Sequence, residues 1–209
     1  MNDMSPVIGP RARRQQDQRR RILDAAVTCF AQGGFHATGM QAICAEAGMS
    51  PGALYRYFPS KEAIIEAIVE RDRAEAPAML APLLEADDVV GALVQAGRDF
   101  LTGNLQTGGM PIFIELCAEA ARNPQVNAIT QRCEGEIHDL LVRVIQRGQT
   151  LGQVDPALDA AAAVRLLSSL ADGLLLRMGL EGIAGVDDLL VMFERAVRSF
   201  LAAPAGALR

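Results

Sequence analysis

Apolar residues recur along most of the chain at intervals of three and four, which is the spacing of one face of an α-helix. No segment of useful length alternates apolar and polar residues as a half-buried strand would. Glycine, proline and asparagine divide the helical pattern into separate segments. The pattern therefore predicts an all-α fold of about nine helices. Their approximate bounds are residues 19–33, 38–47, 51–58, 61–76, 87–104, 111–122, 124–151, 156–180 and 187–202.

The second and third predicted helices are short, and a tight turn separates them. Thr38 and Gln41 have the spacing of a capping box, in which two side chains satisfy backbone N–H groups at a helix start. Gly48 can adopt the left-handed conformation that ends a helix, and Ser50 followed by Pro51 is typical of the next helix start. Two helices joined in this way have the layout of a helix-turn-helix, here at about residues 39–58.

The third helix presents groups that suit a nucleic-acid backbone. Leu54 and Phe58 are four residues apart and face inward, so at least two polar tips of the intervening residues point outward. Tyrosine hydroxyls and an arginine can donate to phosphate oxygens. Lys61 and the N–H groups at the start of the fourth helix add an anion site. The hairpin geometry alone is common in proteins that do not bind DNA, so the residue types carry this interpretation.

The net charge of -5 is the sum of two unlike regions. Residues 1–61 contain eight Lys or Arg against four Asp or Glu, whereas residues 62–209 contain twelve against twenty-one. A basic amino-terminal region favours an anionic partner such as DNA. Residues 1–18 lack apolar periodicity and predict a mobile basic arm. Residues 19–61 then predict a helix-turn-helix domain and residues 62–209 a helical body.

The cysteines and histidines offer no recognisable metal or catalytic site. The four cysteines are far apart and lack a CxxC or Cys/His spacing, so reduced thiols packed as small apolar groups are expected, with a redox or covalent sensor as the alternative. They are Cys29, Cys44, Cys117 and Cys133. His36 and His138 lack a nucleophile or base partner in the sequence. We expect no metal, no cofactor, no catalytic residue and no enzyme activity.

The most apolar stretch, residues 160–176, does not have the composition of a membrane span. It contains Arg165 and Asp172, which a helix in a bilayer would rarely tolerate. We therefore expect a cytoplasmic protein without a membrane partner.

Residues 20–61 closely resemble the DNA-binding domain of the TetR family of transcriptional regulators. The segments that carry the resemblance are Ile22-Leu23-Asp24-Ala25-Ala26, Phe30, Gly33-Gly34-Phe35, Thr38, Ile43, Ala47-Gly48-Met49-Ser50-Pro51-Gly52-Ala53-Leu54-Tyr55 and Tyr57-Phe58-Pro59-Ser60-Lys61-Glu62. The combination is highly specific, although it covers about a fifth of the chain. The remainder resembles the family in length and helical layout only.

The resemblance implies contacts with double-stranded DNA. The implied residues are Thr38, Gln41, Ser50, Pro51, Gly52, Ala53, Tyr55, Arg56, Tyr57 and Lys61. Pro51, Gly52 and Ala53 are expected near base edges and Gln41 at a base, while Tyr55, Arg56, Tyr57 and Lys61 are expected to hold phosphates. The alternatives are that Tyr57 packs beneath the fourth helix and that Arg56 is a solvated charge.

Two positions limit the sequence readout that the resemblance implies. Gly39 stands where the family commonly has a hydroxyl residue, so a phosphate contact there is in doubt. Ala53 is too small for a hydrogen-bonded base contact. Specificity is therefore expected to depend more on Gln41, on apolar contacts with thymine and on DNA shape.

The last two helices carry broad apolar faces. Periodicity alone more often indicates plain core than an interface. The resemblance favours a dimeric four-helix interface instead, which would place two recognition helices on half-sites about 34–36 Å apart or a multiple of that. The expected interface residues are Val164, Leu167, Leu170, Ala171, Leu174, Leu175, Met178, Leu189, Phe193, Ala196, Val197 and Phe200.

A pocket for a small-molecule effector is expected among the helices between residues 61 and 151. The candidate lining residues, each of which is also a plausible core residue, are Phe100, Met110, Phe113, Ile114, Cys117, Cys133, Ile137 and His138. Glu115 and His138 are the polar residues that could orient a ligand or simply face solvent.

The expected function is that of a homodimeric repressor that leaves a two-fold symmetric operator when its effector binds. A transcriptional activator is one alternative. A helical scaffold or small-molecule carrier without DNA binding is another, and Tyr55, Tyr57, Lys61 and the basic region argue against it.

Overall fold

The computed structural model of the chain describes residues 9–73, 76–106, 110–181 and 186–202. The described residues form α-helices joined by turns, with one 3₁₀ turn at Ala81–Leu84. The α-helices are α1 (Pro10–Ala37), α2 (Met40–Glu46), α3 (Pro51–Tyr55), α4 (Lys61–Arg73), α5 (Ala76–Leu80), α6 (Val89–Gln106), α7 (Met110–Ala120), α8 (Pro124–Thr150), α9 (Ala160–Glu181) and α10 (Val186–Leu201). The all-α prediction is confirmed. Helix α5 and the 3₁₀ turn were not predicted from the sequence. They can form because Pro77 and Pro82 lie in their first turns, where proline is tolerated.

Helix α1 begins at Pro10 rather than near Arg19. Gly9 is extended and Pro10 takes the first helical position, where its missing N–H removes no hydrogen bond. The following arginines and glutamines are good helix formers. Residues 10–18, which were expected to belong to a mobile arm, are therefore helical, and residues 1–8 of that predicted arm lie outside the described residues.

The structure contradicts one predicted helix cap and confirms another. The N-cap of α2 is Gly39, without a side-chain hydrogen bond, whereas Thr38 is buried and its Oγ1 donates to the Cys29 carbonyl at 3.1 Å. The predicted capping box is wrong because this hydroxyl bonds back to α1. Ser50 does cap α3, since its Oγ accepts from the Ala53 N–H at 3.3 Å.

Two helix bounds differ from the sequence prediction by several residues. Helix α3 ends at Tyr55 and continues as a turn, whereas the pattern extended it to Phe58. Helix α9 begins at Ala160 instead of near Pro156. The reason for the later start is Asp159, whose Oδ1 accepts from the Ala162 N–H at 2.7 Å and so caps the first turn.

The buried side chains form two large clusters, which divide the molecule into a head (α1–α4) and a body (α5–α10). The head cluster joins α1, α2, α3 and α4, and it also includes Ile112 of α7 and Val126 of α8. The body cluster joins α6, α8, α9 and α10 with Met110 of α7. A smaller cluster lies under the 3₁₀ turn, around Leu83 and Val144. Side chains of the body therefore complete the core of the head.

Candidate DNA-binding surface and its connection to the body

Helix α3 is anchored through one face and exposed on the other. Leu54 and Phe58 are buried at 0% and 2% exposure and are members of the head cluster. Pro51, Gly52, Tyr55 and Arg56 are exposed, and Tyr55 retains 52% of its accessible surface. An aromatic residue this exposed, beside an arginine, suits contact with a partner surface better than packing within the protein.

The turn before α3 brings the two short helices together. Gly48 has φ of 61°, the left-handed conformation that the sequence predicted for this position. Gln41 and Ser50 are exposed on either side of the turn, and Ala53 is partly buried.

Three of the predicted DNA contacts have partners within the protein. Thr38 faces α1, as described above. Lys61 Nζ donates to the Phe35 carbonyl at 2.7 Å and lies 4.4 Å from the centre of the Phe35 ring. Tyr57 is partly buried and packs against the head cluster.

The end of α1 is kinked at Gly34, whose φ of 75° lies in the left-handed region. The kink turns the buried Phe35 toward two other helices. Its N–H donates to Glu115 Oε1 of α7 at 2.5 Å, and its carbonyl accepts from Lys61 of α4. One peptide segment thus connects α1, α4 and α7. Glu115, expected to orient a ligand or face solvent, bonds to the backbone of the head instead.

Glu119, one turn after Glu115 on α7, makes a second connection at the same place. Its side chain is fully buried and accepts from Asn123 Nδ2 at 3.0 Å and Arg122 Nη2 at 3.2 Å. His36 Nε2 lies 3.4 Å from its Oε2, on the head side.

Burial by itself raises the pKa of Glu119, but opposing contacts outweigh it. The hydrogen bonds from Asn123 and Arg122 favour the carboxylate, and the charge that His36 carries when protonated acts in the same direction. The pKa of Glu119 is therefore lowered, so that α7 presents a buried negative charge to the end of α1.

The predicted effector-pocket residues do not all lie together. Met110 is buried in the body cluster, and Phe100, Phe113 and Ile114 pack against it. Cys133 packs against the head cluster instead, and Cys117 is exposed. Ile137 and His138 are half-buried on α8. Phe100, Met110, Phe113 and Ile114 therefore remain together as candidates for lining an effector pocket.

Most of the predicted dimer residues belong to the core of the protomer. Val164, Leu175, Met178, Phe193 and Val197 are buried, and Ala196 is exposed. The remaining six pack against the same body cluster, and they are Leu167, Leu170, Ala171, Leu174, Leu189 and Phe200. The large apolar side chains that are exposed on α9 and α10 are Leu166, Leu176, Leu180, Val191 and Met192.

One cysteine, Cys29, lies in surroundings that disfavour a thiolate. Cys44 is buried, and Cys29 and Cys133 are half-buried. Burial raises the pKa of the Cys29 thiol, and the nearby Glu46 carboxylate raises it further. A raised pKa disfavours the thiolate that redox chemistry needs, so Cys29 fits the packing interpretation.

Comparisons with known proteins match both the head and the body. The sequence profile of bacterial regulatory proteins of the tetR family matches residues 22–68, and that of the BetI-type transcriptional repressor C-terminal domain matches residues 92–202. The HTH-type transcriptional regulator UidR of Escherichia coli strain K12 is 34% identical over 169 residues, which are 81% of this chain and 85% of UidR. The chain belongs to the TetR family of transcriptional regulators.

Solved structures of the TetR family share the fold. GusR of Salmonella enterica superposes with a TM-score of 0.76 at 32% identity, covering 88% of this chain and 95% of GusR. FadR of Bacillus subtilis, solved in complex with stearoyl-CoA, superposes with a TM-score of 0.71 at 21% identity over 88% of this chain and 97% of its own, which supports the fold alone. Within the described residues, no helix is long and apolar enough to cross a membrane.

The sequence interpretation of this TetR-family regulator missed the roles of Phe35 and Glu119. Phe35 was noted only as part of the family motif. Glu119 precedes Arg122 by three residues and Asn123 by four, the helical spacing at which side chains pair. That spacing was the available signal for a buried carboxylate on α7.

Proposed function

We propose that this TetR-family regulator is a homodimeric repressor that binds a two-fold symmetric operator in the cytoplasm and is released by a small molecule. The observation that carries the proposal is the exposure of Tyr55 and Arg56 beside the Pro51 and Gly52 start of α3, above the buried Leu54. A recognition helix in a major groove needs a buried side that fixes it to the protein, here Leu54, and an exposed side with hydrogen-bond donors, here Tyr55 and Arg56.

Dimerisation is supported by an exposed apolar stripe on α9. Leu166, Leu176 and Leu180 are 53%, 40% and 68% exposed. They fall on one helical face with the exposed Ala162 and Gly173, whose small size would let a second helix approach closely. Val191 and Met192 expose further apolar area on α10. We propose this face, rather than the inward face predicted from the sequence, as the dimer interface.

The DNA-binding proposal is tested by selecting duplexes from random-sequence DNA with the purified wild-type protein. We expect enrichment of a two-fold symmetric site that is bound at least about 10³-fold more tightly than random DNA at a stated salt concentration. Failure to enrich any symmetric site would refute the proposal. In transcription in vitro, a promoter carrying the selected site should lose activity, whereas increased activity would indicate an activator.

The dimer face is tested with a matched pair of substitutions. Leu166→Glu places a charge on the proposed stripe, and Leu151→Glu places one on a leucine of similar exposure, 49%, at the end of α8. Sedimentation should show a monomer for L166E and a dimer for L151E. Only L166E should lose the cooperative binding of two half-sites. A dimeric L166E would rule out this face.

The effector proposal rests on the apolar residues Phe100, Met110, Phe113 and Ile114, which share the body cluster at α6 and α7. A small-molecule library is screened for release of labelled operator DNA. Phe113→Trp should abolish the response to any hit while preserving DNA binding, and Cys117→Trp, at an exposed position of the same helix, should preserve both. Equal responses of the two variants would place the effector elsewhere.

A further inference from the structure

Helix α1 extends well beyond the core of the head. Its first buried residue is Ile22, whereas the helix begins at Pro10, so twelve residues, or about 18 Å of helix, precede the core. The side chains of residues 11–17 are all exposed. A helical segment without a core of its own contributes little to stability, and its exposed surface is open to a partner.

The extension has two faces of different charge. Arg11, Arg14, Gln18 and Arg21 follow one another at intervals of three, four and three, so they form one stripe along the helix. This stripe contains no acidic residue. We call it the arginine stripe.

The second face carries both signs of charge. Arg13, Asp17, Arg20 and Asp24 recur at intervals of four, three and four. Arg20 lies 4.0 Å from Asp17, and Asp24 pairs with Arg71 of α4 at 2.7 Å. The charges of this face are largely compensated within the protein, so a strong attraction for anions is expected from the arginine stripe alone.

Two contacts fix the extension beside the helix-turn-helix. A Cβ atom built on Gly48, in the turn before α3, would lie only 2.7 Å from Arg21 Nη2. Arg19 stacks on the Phe58 ring, beyond the end of α3, at 4.8 Å from the ring centre. Arg21 also borders a shallow groove with Glu46 of α2, so Arg11 and Arg14 are the stripe residues farther from that acid. The stripe thus continues outward from the turn that leads into the recognition helix.

We propose that the arginine stripe is a second DNA-binding surface, which holds phosphates of the duplex beside the groove that α3 enters. Guanidinium groups bind phosphate oxygens with charge-assisted, often bidentate hydrogen bonds. The partner is a duplex because the stripe adjoins the element that binds one, and the inference therefore rests on the proposed operator binding. Contacts of this kind add affinity without base specificity.

The test compares two double variants that remove the same charge from different faces. Arg11→Gln with Arg14→Gln neutralises the stripe, and Arg13→Gln with Arg20→Gln neutralises the mixed face. Glutamine keeps the helix propensity of arginine, so circular dichroism should show unchanged helicity for both. The probe is the duplex that the wild-type protein selects from random-sequence DNA, and its dissociation constant is measured between 50 and 200 mM salt.

Each phosphate contact contributes about 0.9 to the slope of log affinity against log salt, so losing two contacts in each protomer of a dimer lowers the slope by about 3.6. Between 50 and 200 mM salt, the factor by which affinity falls should be roughly 10² smaller for R11Q/R14Q than for the wild-type protein, because the variant has fewer phosphate contacts to lose. At the lowest salt it should bind more weakly than the wild type. R13Q/R20Q should keep a slope close to that of the wild type.

Equal slopes for the two variants would overturn the inference, whether both match the wild type or both fall. Loss of R11Q/R14Q binding to anionic phosphatidylglycerol vesicles, with operator binding unchanged, would also overturn it and would assign the stripe to a lipid surface. If the wild-type protein enriches no site at all, the proposed function fails and this inference fails with it. If it enriches a site that both variants bind equally, only the arginine stripe is refuted.

Discussion

The head and the body complete their cores in different ways. The head cluster needs Ile112 of α7 and Val126 of α8, whereas among the described residues the body cluster includes none from α1–α4. The dependence therefore runs in one direction. A displacement of Ile112 or Val126 would disturb the head directly, whereas a displacement within α1–α4 would remove no member of the body cluster among the described residues. Such an arrangement suits a protein in which a change in the body must reach the DNA-binding surface.

Helix α7 is the element that belongs to both cores. Ile112 lies in the head cluster, and Met110 lies in the body cluster close to Gly179 of α9, where an added Cβ would be 2.7 Å from the Met110 sulfur. Its two carboxylates, Glu115 and Glu119, contact the end of α1. Apolar and polar contacts thus connect the same helix to the head, and the predictions below address each type in turn.

The largest effect is expected from shortening the apolar side chain that crosses from the body into the head. Ile112→Ala and Ile145→Ala remove the same atoms from the head cluster and the body cluster, and each should lower the free energy of unfolding by about 2–5 kcal/mol. Amide exchange should separate them, because I112A should reduce protection in α1–α4 and I145A in α8–α10. Unchanged exchange of the head in I112A would show that the head is a core of its own.

The kink at the end of α1 is expected to give the next largest effect. Gly34→Ala forces a Cβ onto a residue with φ of 75° and ψ of 160°, a conformation that essentially only glycine adopts and that costs about 1–3 kcal/mol. It also places the Cβ 3.3 Å from Glu115 Oε1. The neighbouring Gly33→Ala is the control, because Gly33 is helical and its added Cβ would meet Thr38 Oγ1 at an ordinary 3.4 Å. Urea unfolding should therefore show destabilisation for G34A and a neutral or stabilising effect for G33A. Similar free energies of unfolding for G34A and G33A would mean that the fold does not require the kink.

The sequence was sufficient for the parts of the fold that depend on local chemistry. The left-handed turn at Gly48 and the Ser50 cap follow from residue type and position, and both are present in the structure. The Thr38 cap failed because a tertiary acceptor, the Cys29 carbonyl, takes the hydroxyl. The start of α1 was missed because residues 11–17 are all exposed in the structure, so this part of the helix has no apolar period to detect.

Periodicity also could not distinguish the two apolar faces of α9. The α9 residues predicted for the dimer interface form the broader face, and they are members of the body cluster or partly buried against it. The exposed face is narrower and includes alanine, serine and glycine at Ala162, Ser169 and Gly173, so it carries a weaker apolar signal. The Glu115 contact was equally out of reach, since 80 residues separate its carboxylate from the Phe35 N–H.

A smaller effect is expected from the Glu115 connection between α7 and α1. Glu115→Ala leaves the Phe35 N–H without its carboxylate and should cost about 1 kcal/mol. Because the same segment bonds to Lys61 at the start of α4, we expect operator affinity to fall about fivefold. Glu136→Ala, an exposed position on α8, removes the same charge and should leave affinity unchanged. Equal operator affinities of E115A and E136A in a binding titration would show that this hydrogen bond does not support the DNA-binding surface.

The smallest effect is expected for Glu119→Gln, since the one oxygen of glutamine can still accept the Asn123 hydrogen bond. The substitution removes the charge and the second acceptor oxygen, which faces Arg122. The pKa of Glu119 is lowered in the folded protein, so its carboxylate stabilises the fold above the unfolded pKa of about 4.3. That stability is lost as the pH falls through the lower folded pKa. E119Q should therefore be less stable than the wild type at neutral pH, and urea unfolding should show the difference shrinking between pH 6 and pH 3. A constant difference would mean that the Glu119 charge does not contribute, and Glu136→Gln serves as the exposed control.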